Sequence, residues 1–165
     1  MYSVLGLGLF TGFYSWQLEP FWLEFVTLKM PIKNLPKHLI GKKLMQISDI
    51  HVGNRFDYNY LIDSFKKAQK LNPDFVVYTG DFIDYENQEQ FTQLRTVFKH
   101  VVTGKYGTIG VLGNHDYGKN WAEEKVAQNV ISILKEHKID VLRNSKKSYQ
   151  GLHFIGIDDY WSFNF

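Results

Sequence analysis

At 165 residues the chain is long enough for one globular domain with a real core and too short for two of ordinary size. Hydrophobic residues make up 44% and charged residues 22%, ordinary globular usage that excludes a disordered chain. A net charge of +2, with no block of Lys or Arg interleaved with aromatics, leaves no electrostatic footprint for nucleic acid, and the lack of cysteine excludes a disulfide framework and any thiolate metal site.

Residues 1–18 carry no charged side chain. As a helix they would extend about 27 Å, close to a hydrocarbon thickness of roughly 30 Å. The segment reads as a membrane helix, with Gly6, Gly8 and Gly12 tolerated there and Tyr14 and Trp16 at the interfacial level; a buried N-terminal helix or strand is the alternative. A cleaved signal peptide fits less well, because no Lys or Arg precedes the apolar run and no small-residue cleavage site follows it. Lys29, Lys33, Lys37, Lys42 and Lys43 come next, with no acidic residue between Glu24 and Asp49, so the positive-inside rule puts the domain in the cytoplasm. Aromatic residues cluster from Phe10 to Phe25 and again from Tyr160 to Phe165, which suits a membrane-flanking segment and a packed C-terminal edge.

Pro31 and Pro36 mark residues 19–40 as an extended linker, and the domain begins near Gly41. Leu44 to Ser48 reads as a short buried strand. Tyr58 to Leu71 places Leu61, Ile62, Phe65, Ala68 and Leu71 on one helical face and stops at Asn72 and Pro73. Phe75 to Tyr78 is a continuous apolar run, as in a strand covered on both faces. A helix over Gln88 to His100, a strand over Thr108 to Leu112 and a helix over Ala122 to Glu136 repeat the alternation, and short strands at Val141 to Leu142 and Leu152 to Ile157 follow. Alternating strands and helices predict an α/β sandwich with a largely parallel central sheet.

The polar residues that carry chemistry follow three predicted strand ends: Asp49 and His51, then Gly80 and Asp81, then Gly113, Asn114, His115 and Asp116. Loops beyond the carboxyl ends of parallel strands form the ligand crevice of such sheets, so the three clusters can converge. An Asp-x-His pair or a Gly-Asp pair alone is an ordinary turn or cap. The string Gly113-Asn114-His115-Asp116 is expected by chance in about one of two thousand chains this long, which makes coincidence a poor explanation. Carboxylate, imidazole and amide ligands suit a divalent Mn, Fe, Zn, Mg or Ni ion, and two such ions can clamp a phosphoryl transfer and lower the pKa of a bound water.

The order D-x-H, G-D, G-N-H-D resembles the calcineurin-like metallophosphoesterase family. The surrounding residues agree: Gln46-Ile47-Ser48-Asp49-Ile50-His51, Val77-Tyr78-Thr79-Gly80-Asp81 and Val111-Leu112-Gly113-Asn114-His115-Asp116. The chain is most similar to a membrane-linked branch that passes from an apolar helix through a Glu-Pro step, here Glu19-Pro20, and a Leu-Pro linker, here Leu35-Pro36. The resemblance implies that Asp49 and His51 bind a first metal, Asp81 bridges and Asn114 binds a second. It implies that His115 sits over the phosphate as general acid or transition-state stabiliser, oriented by Asp116.

The family completes its site with later histidines, one at a strand end and two in a Gly-His-x-His motif, and the chain reaches Phe165 before either. Residues 41–165 are therefore expected to be the N-terminal part of such a domain, a partial sandwich. His38, His100, His137 and His153 fall outside any matching context. The function implied is metal-dependent hydrolysis of a phosphomonoester, phosphodiester or pyrophosphate, on a small-molecule or lipid substrate met at the membrane. The alternatives are a non-catalytic membrane-associated remnant or partner-binding fragment, and a single-metal binding module using Asp49, His51 and Asp81.

Overall fold

The computed structural model describes residues 2–53 and 56–160. The chain divides into two units, Met1–Lys33 and Asn34–Phe165. In the first, helix α1 spans Tyr2–Phe13 and is followed by a π-helical turn at Tyr14–Leu18 and a 3-10 turn at Glu19–Phe21 that carries Pro20. The regular α-helix is thus shorter than the 1–18 expected: its 12 residues extend about 18 Å. Among the described residues no helix is long and apolar enough to cross a membrane. From Gly6 to Lys33 no described residue is buried, and Trp16, Trp22, Val26 and Leu28 are each more than 70% exposed.

The second unit carries a four-stranded parallel sheet in the order β1 (Leu44–Ile47), β2 (Phe75–Thr79), β3 (Gly107–Val111) and β4 (Asp140–Val141). The crossovers are α2 (Tyr58–Gln69), α3 (Glu89–Phe98) and α4 (Glu124–Glu136). Asp57 caps α2 by accepting from the Asn59 amide at 2.7 Å. The helices bury Leu61, Phe65 and Ala68 from α2, Phe91, Leu94, Val97 and Phe98 from α3, and Val126, Val130, Ile133 and Leu134 from α4; of the face expected for α2, Ile62 is only half-buried, and Leu71 is exposed because the helix ends at Gln69. Val76 and Tyr78 of β2 face these helices in one core, where the buried Tyr78 hydroxyl donates to the Val102 carbonyl at 2.9 Å.

The opposite face of the sheet meets an antiparallel hairpin of β5 (Ser145–Tyr149) and β6 (Leu152–Gly156). Phe154 lies 5.8 Å from Phe75 between ring centres, and Tyr149 packs so closely on Gly107 that a Cβ there would stand 2.5 Å from its ring. Helices on one face and a hairpin on the other make the α/β sandwich expected. Strand β1 departs from its expected burial: Met45 and Ile47 reach the core while Leu44 and Gln46 are exposed, because β1 is the edge strand of the sheet. Of the C-terminal aromatic cluster, the residues beyond Tyr160 lie outside those described.

Candidate metal centre

Parallel pairing keeps the strand ends level, with Ile47 opposite Tyr78 and Thr79 opposite Val111, so the three loops that follow leave the sheet side by side. They are laced to one another through the backbone. The Asp49, His51 and Val52 amides donate to the carbonyls of Gly80, Asp81 and Phe82 at 3.2, 2.9 and 2.9 Å, and the Asp84 amide donates back to Val52 at 3.1 Å. To follow this path Asp49, His51 and Asp81 adopt left-handed backbone, with φ of 54°, 45° and 56°. For non-glycine residues that costs on the order of 1–3 kcal/mol each, and such strain collects at functional sites. Gly80, at φ 89°, and Gly113 permit the close approach: a Cβ on Gly80 would stand 2.6 Å from the Gly113 nitrogen, and one on Gly113 would stand 2.2 Å from Asp81 Oδ1.

Asp116 is the clasp of this arrangement. Fully buried, its Oδ1 accepts from the Phe82 and Ile83 amides at 2.8 and 3.2 Å, and its Oδ2 from the Asp81 and Gly113 amides at 3.0 and 2.9 Å. Burial pushes its carboxyl up to about 7, while the backbone donors pull the other way. Its carboxylate thus serves the backbone behind the site rather than the His115 ring. The ring is met instead by Asp84, whose Oδ1 lies 3.3 Å from His115 Nδ1. This corrects the expected pairing of His115 with Asp116. Asp84 was missed because an Asp three residues after Asp81, in Gly80-Asp81-Phe82-Ile83-Asp84, reads from sequence as one more turn residue; the carbonyl it reaches, on Val52, lies in another loop.

Three side chains then converge. His51 Nε2 stands 3.6 Å from Asp81 Oδ2 and 3.8 Å from Asp49 Oδ1, and the rings of His51 and His115 meet edge to face at 4.8 Å. The His115 amide donates to Asp81 Oδ1 at 3.2 Å, which fixes that carboxylate against the third loop. One donor atom each from His51, Asp81 and His115 lies within 4.8 Å of the others. Donors about 2.1 Å from a shared tetrahedral ion stand roughly 3.4 Å apart, so the nitrogen and oxygen set and its spacing fit a divalent cation. Asp49 sits at the rim with its side chain 66% exposed, and Asn114 opens the 3-10 turn Asn114–Tyr117, half-buried, directly before His115.

The other histidines are occupied elsewhere. His38 Nε2 lies 3.0 Å from the Gln150 carbonyl oxygen, His153 Nδ1 lies 2.6 Å from the Ser148 hydroxyl, His137 packs against Phe98, and His100 is exposed beside Lys66, Gln69 and Lys70.

Residues 42–160 match the model of the calcineurin-like phosphoesterase family. Among proteins similar in sequence, the UDP-2,3-diacylglucosamine pyrophosphatase LpxG of Chlamydia muridarum is 30% identical over 115 residues, 70% of this chain and 35% of that protein. A transmembrane protein with metallophosphoesterase domain from Danio rerio is 33% identical over 149 residues, 82% of this chain and 31% of that protein. The metallophosphoesterase YkuE of Bacillus subtilis is 29% identical over 122 residues, 72% of this chain and 43% of that protein. The matched part of the chain thus spans between 31% and 43% of the length of these relatives. With its matched region covering the sheet, the helices and all three strand-end motifs, the chain belongs to the calcineurin-like phosphoesterase family.

Proposed function

We propose that this chain carries the metal-binding and proton-donating part of a metal-dependent phosphoester hydrolase. The observation that carries the reading is the convergence of His51 Nε2 on Asp81 Oδ2 and Asp49 Oδ1, at 3.6 and 3.8 Å, where the strand-end loops meet, with the His115 ring edge to face against that of His51. Asp49 and His51 would hold a first divalent ion, Asp81 would bridge, and Asn114 would face a second. Bound there, such an ion supplies Lewis acidity toward a phosphoryl oxygen and makes water acidic enough to attack near neutral pH. His115 would hold a proton for the departing oxygen, and Asp84 beside Nδ1 fixes the ring. Asp116 holds the two loops in register through four backbone amides and so would position His115 through the turn that carries both.

The substrate class we propose is a phosphomonoester, phosphodiester or pyrophosphate, including lipid-linked phosphates, since a relative is named as a pyrophosphatase of a diacylated sugar nucleotide. The reading includes membrane association, which the unburied apolar and aromatic residues between Leu7 and Ile32 support, and a cytoplasmic domain, which the following lysines favour. The relative from Danio rerio, named as a transmembrane protein, supports the same reading.

The test is to titrate Mn²⁺ into the purified chain, following thermal stability and release of p-nitrophenol from bis(p-nitrophenyl) phosphate. The expected result is a Tm rise that saturates with Mn²⁺ and disappears in Asp81→Asn, together with turnover lost in His115→Gln. A Tm insensitive to Mn²⁺ would reject the metal centre. A Tm rise without turnover would leave a metal-binding module and reject the hydrolase.

A further inference from the structure

Charge in the second unit is segregated between the two ends of its parallel sheet. The connections that lead into the four strands, residues 34–43, 70–74, 99–106 and 137–139, contain seven lysines and one acidic residue, Asp74. Those that leave the first three strands, residues 48–57, 80–88 and 112–123, contain seven acidic residues and two basic ones. The register sets Leu44, Phe75 and Gly107 side by side, so the lysine-bearing connections share the end of the sheet opposite the metal centre. The small net charge of the chain thus averages a basic end and an acidic one.

At the basic end Lys42 and Lys43 precede β1, Lys70 precedes β2, Lys99 and Lys105 precede β3 and Lys138 precedes β4, all of them exposed. Internal pairing consumes little of this charge. Asp74 lies 3.5 Å from Lys42 Nζ and accepts from the Lys43 amide at 2.9 Å. Lys70, Lys99 and Lys138 form no ion pair among the described residues. Between the ends of α2 and α3 lies an open cleft of about 560 Å³, lined by Lys66, Gln69, Lys70, His100 and Val101. Gln69 ties its two sides together, donating from Nε2 to the Thr103 carbonyl at 3.3 Å and accepting at Oε1 from the Thr103 amide at 2.9 Å. Lysines in the last turn of a helix answer the helix dipole, which accounts for Lys66 and Lys67 but not for Lys42, Lys43 and Lys105, which precede strands.

We propose that this basic end docks on anionic lipid headgroups and turns the metal centre toward the aqueous side, which favours, of the esters considered above, those that arrive from solution. The inference rests on the reading of membrane association. Two observations select a lipid surface over another polyanion. The chain enters the domain at this end, through residues 34–43, from a segment whose apolar side chains between Leu7 and Ile32 are unburied. The one Phe, Tyr or Trp in the four connections, Tyr106, is half-buried, with Lys42 and Lys105 Nζ each 5.3 Å from its ring centre, so no open ring is offered to a nucleic-acid base. Each lysine brought near an anionic surface is worth about fivefold in affinity, within a screening length of roughly 10 Å at ordinary salt.

The test is sedimentation of the whole chain with vesicles of phosphatidylcholine alone and of phosphatidylcholine mixed with phosphatidylglycerol. The wild-type chain is expected to bind the mixed vesicles more tightly, and Lys70→Gln, Lys99→Gln and Lys138→Gln combined to lower that affinity on the order of a hundredfold. Lys119→Gln with Lys125→Gln, at the acidic end, should leave it unchanged. The chain has no cysteine, so a fluorophore can be placed on Thr103→Cys at the basic end or on Gln88→Cys at the other. Spin-labelled lipid should quench the first and spare the second. Equal binding of the wild type to both vesicles, or full affinity in the triple variant, leaves the apolar segment as the anchor and overturns the basic end as a docking surface. Quenching at Gln88→Cys overturns the orientation. Binding to neither vesicle removes membrane association and the inference with it, and binding to duplex DNA instead reassigns the basic end to nucleic acid.

Discussion

His115 Nδ1 lies 3.3 Å from Asp84 Oδ1, and neither side chain is buried, at 36% and 49% exposed. A hydrogen on Nδ1 directed at the carboxylate leaves Nε2 as the nitrogen that works on the substrate. Asp84→Asn would keep the contact but replace the carboxylate that faces Nδ1 with an amide, loosening its hold on the ring. We expect kcat to fall by about 10- to 100-fold, with the Mn²⁺-dependent Tm rise unchanged; general acid-base help is worth roughly 10²–10⁴ in full. Wild-type kcat in Asp84→Asn would remove Asp84 from the site.

Arg143 joins three segments. Its Nε pairs with Asp158 Oδ2 at 2.7 Å, and its terminal nitrogens meet Glu124 Oε1 and Oε2 at 2.7 and 3.1 Å. The Asp158 side chain is 1% exposed and that of Glu124 47%. Removing the cation leaves the buried carboxylate without its charge partner, which costs about 3–5 kcal/mol, whereas an exposed pair is worth about 0–1 kcal/mol. Urea unfolding should therefore show a far larger loss for Arg143→Met than for Glu124→Gln. Equal losses would mean that Asp158 is not the partner that matters.

The helices were legible because their apolar residues recur at helical spacing, and β2 and β3 because their runs are short and rich in β-branched or aromatic residues. Strand β5 was not, since Ser145, Lys146, Lys147 and Ser148 are all exposed and carry no apolar alternation; its pairing with β6 holds it. Nor was the break in the N-terminal helix after Phe13, where composition alone reads as one apolar run. The motifs led to the loops that converge, yet not to who pairs with whom. Asp116 spends most of its carboxylate on amides 33, 34 and 35 positions away, and such a partner is a property of the fold rather than of local sequence.

His137 follows α4 and packs its ring against Phe98, 6.1 Å between centres. Burial holds its pKa below the ordinary value of 6.5, with Glu136 opposing and Arg95 adding to the shift. A histidine depressed in the folded state binds fewer protons there than in the unfolded chain, so stability is full above pH 6.5 and falls as pH drops from there toward the folded pKa. The loss should appear as the difference between wild type and His137→Gln in thermal unfolding from pH 8 to 5, because the buried Asp116 carboxyl, pushed up to about 7, acts with the opposite sign in the same window and is common to both chains. An unchanged slope in His137→Gln would assign the acid sensitivity elsewhere.

Gly113 and Gly110 separate a steric requirement of the site from ordinary packing in the same strand and its loop. A Cβ on Gly113 would meet Asp81 Oδ1 at 2.2 Å and the Asp81 nitrogen at 2.8 Å, whereas one on Gly110 would meet Ile139 Cγ2 at 3.2 Å and Phe82 Cζ at 3.4 Å. Side-chain carbons can shift by tenths of an ångström; the backbone of Asp81, whose amide donates to Asp116 and whose carbonyl accepts from His51, cannot. Overpacking of this kind costs about 1–3 kcal/mol. Gly113→Ala should therefore lower stability by that amount and also abolish the Mn²⁺-dependent Tm rise, because the carboxylate displaced is that of Asp81. Gly110→Ala should keep the Mn²⁺ response. A Gly113→Ala chain that still gains Tm with Mn²⁺ would show that Asp81 does not need its observed position to hold the ion.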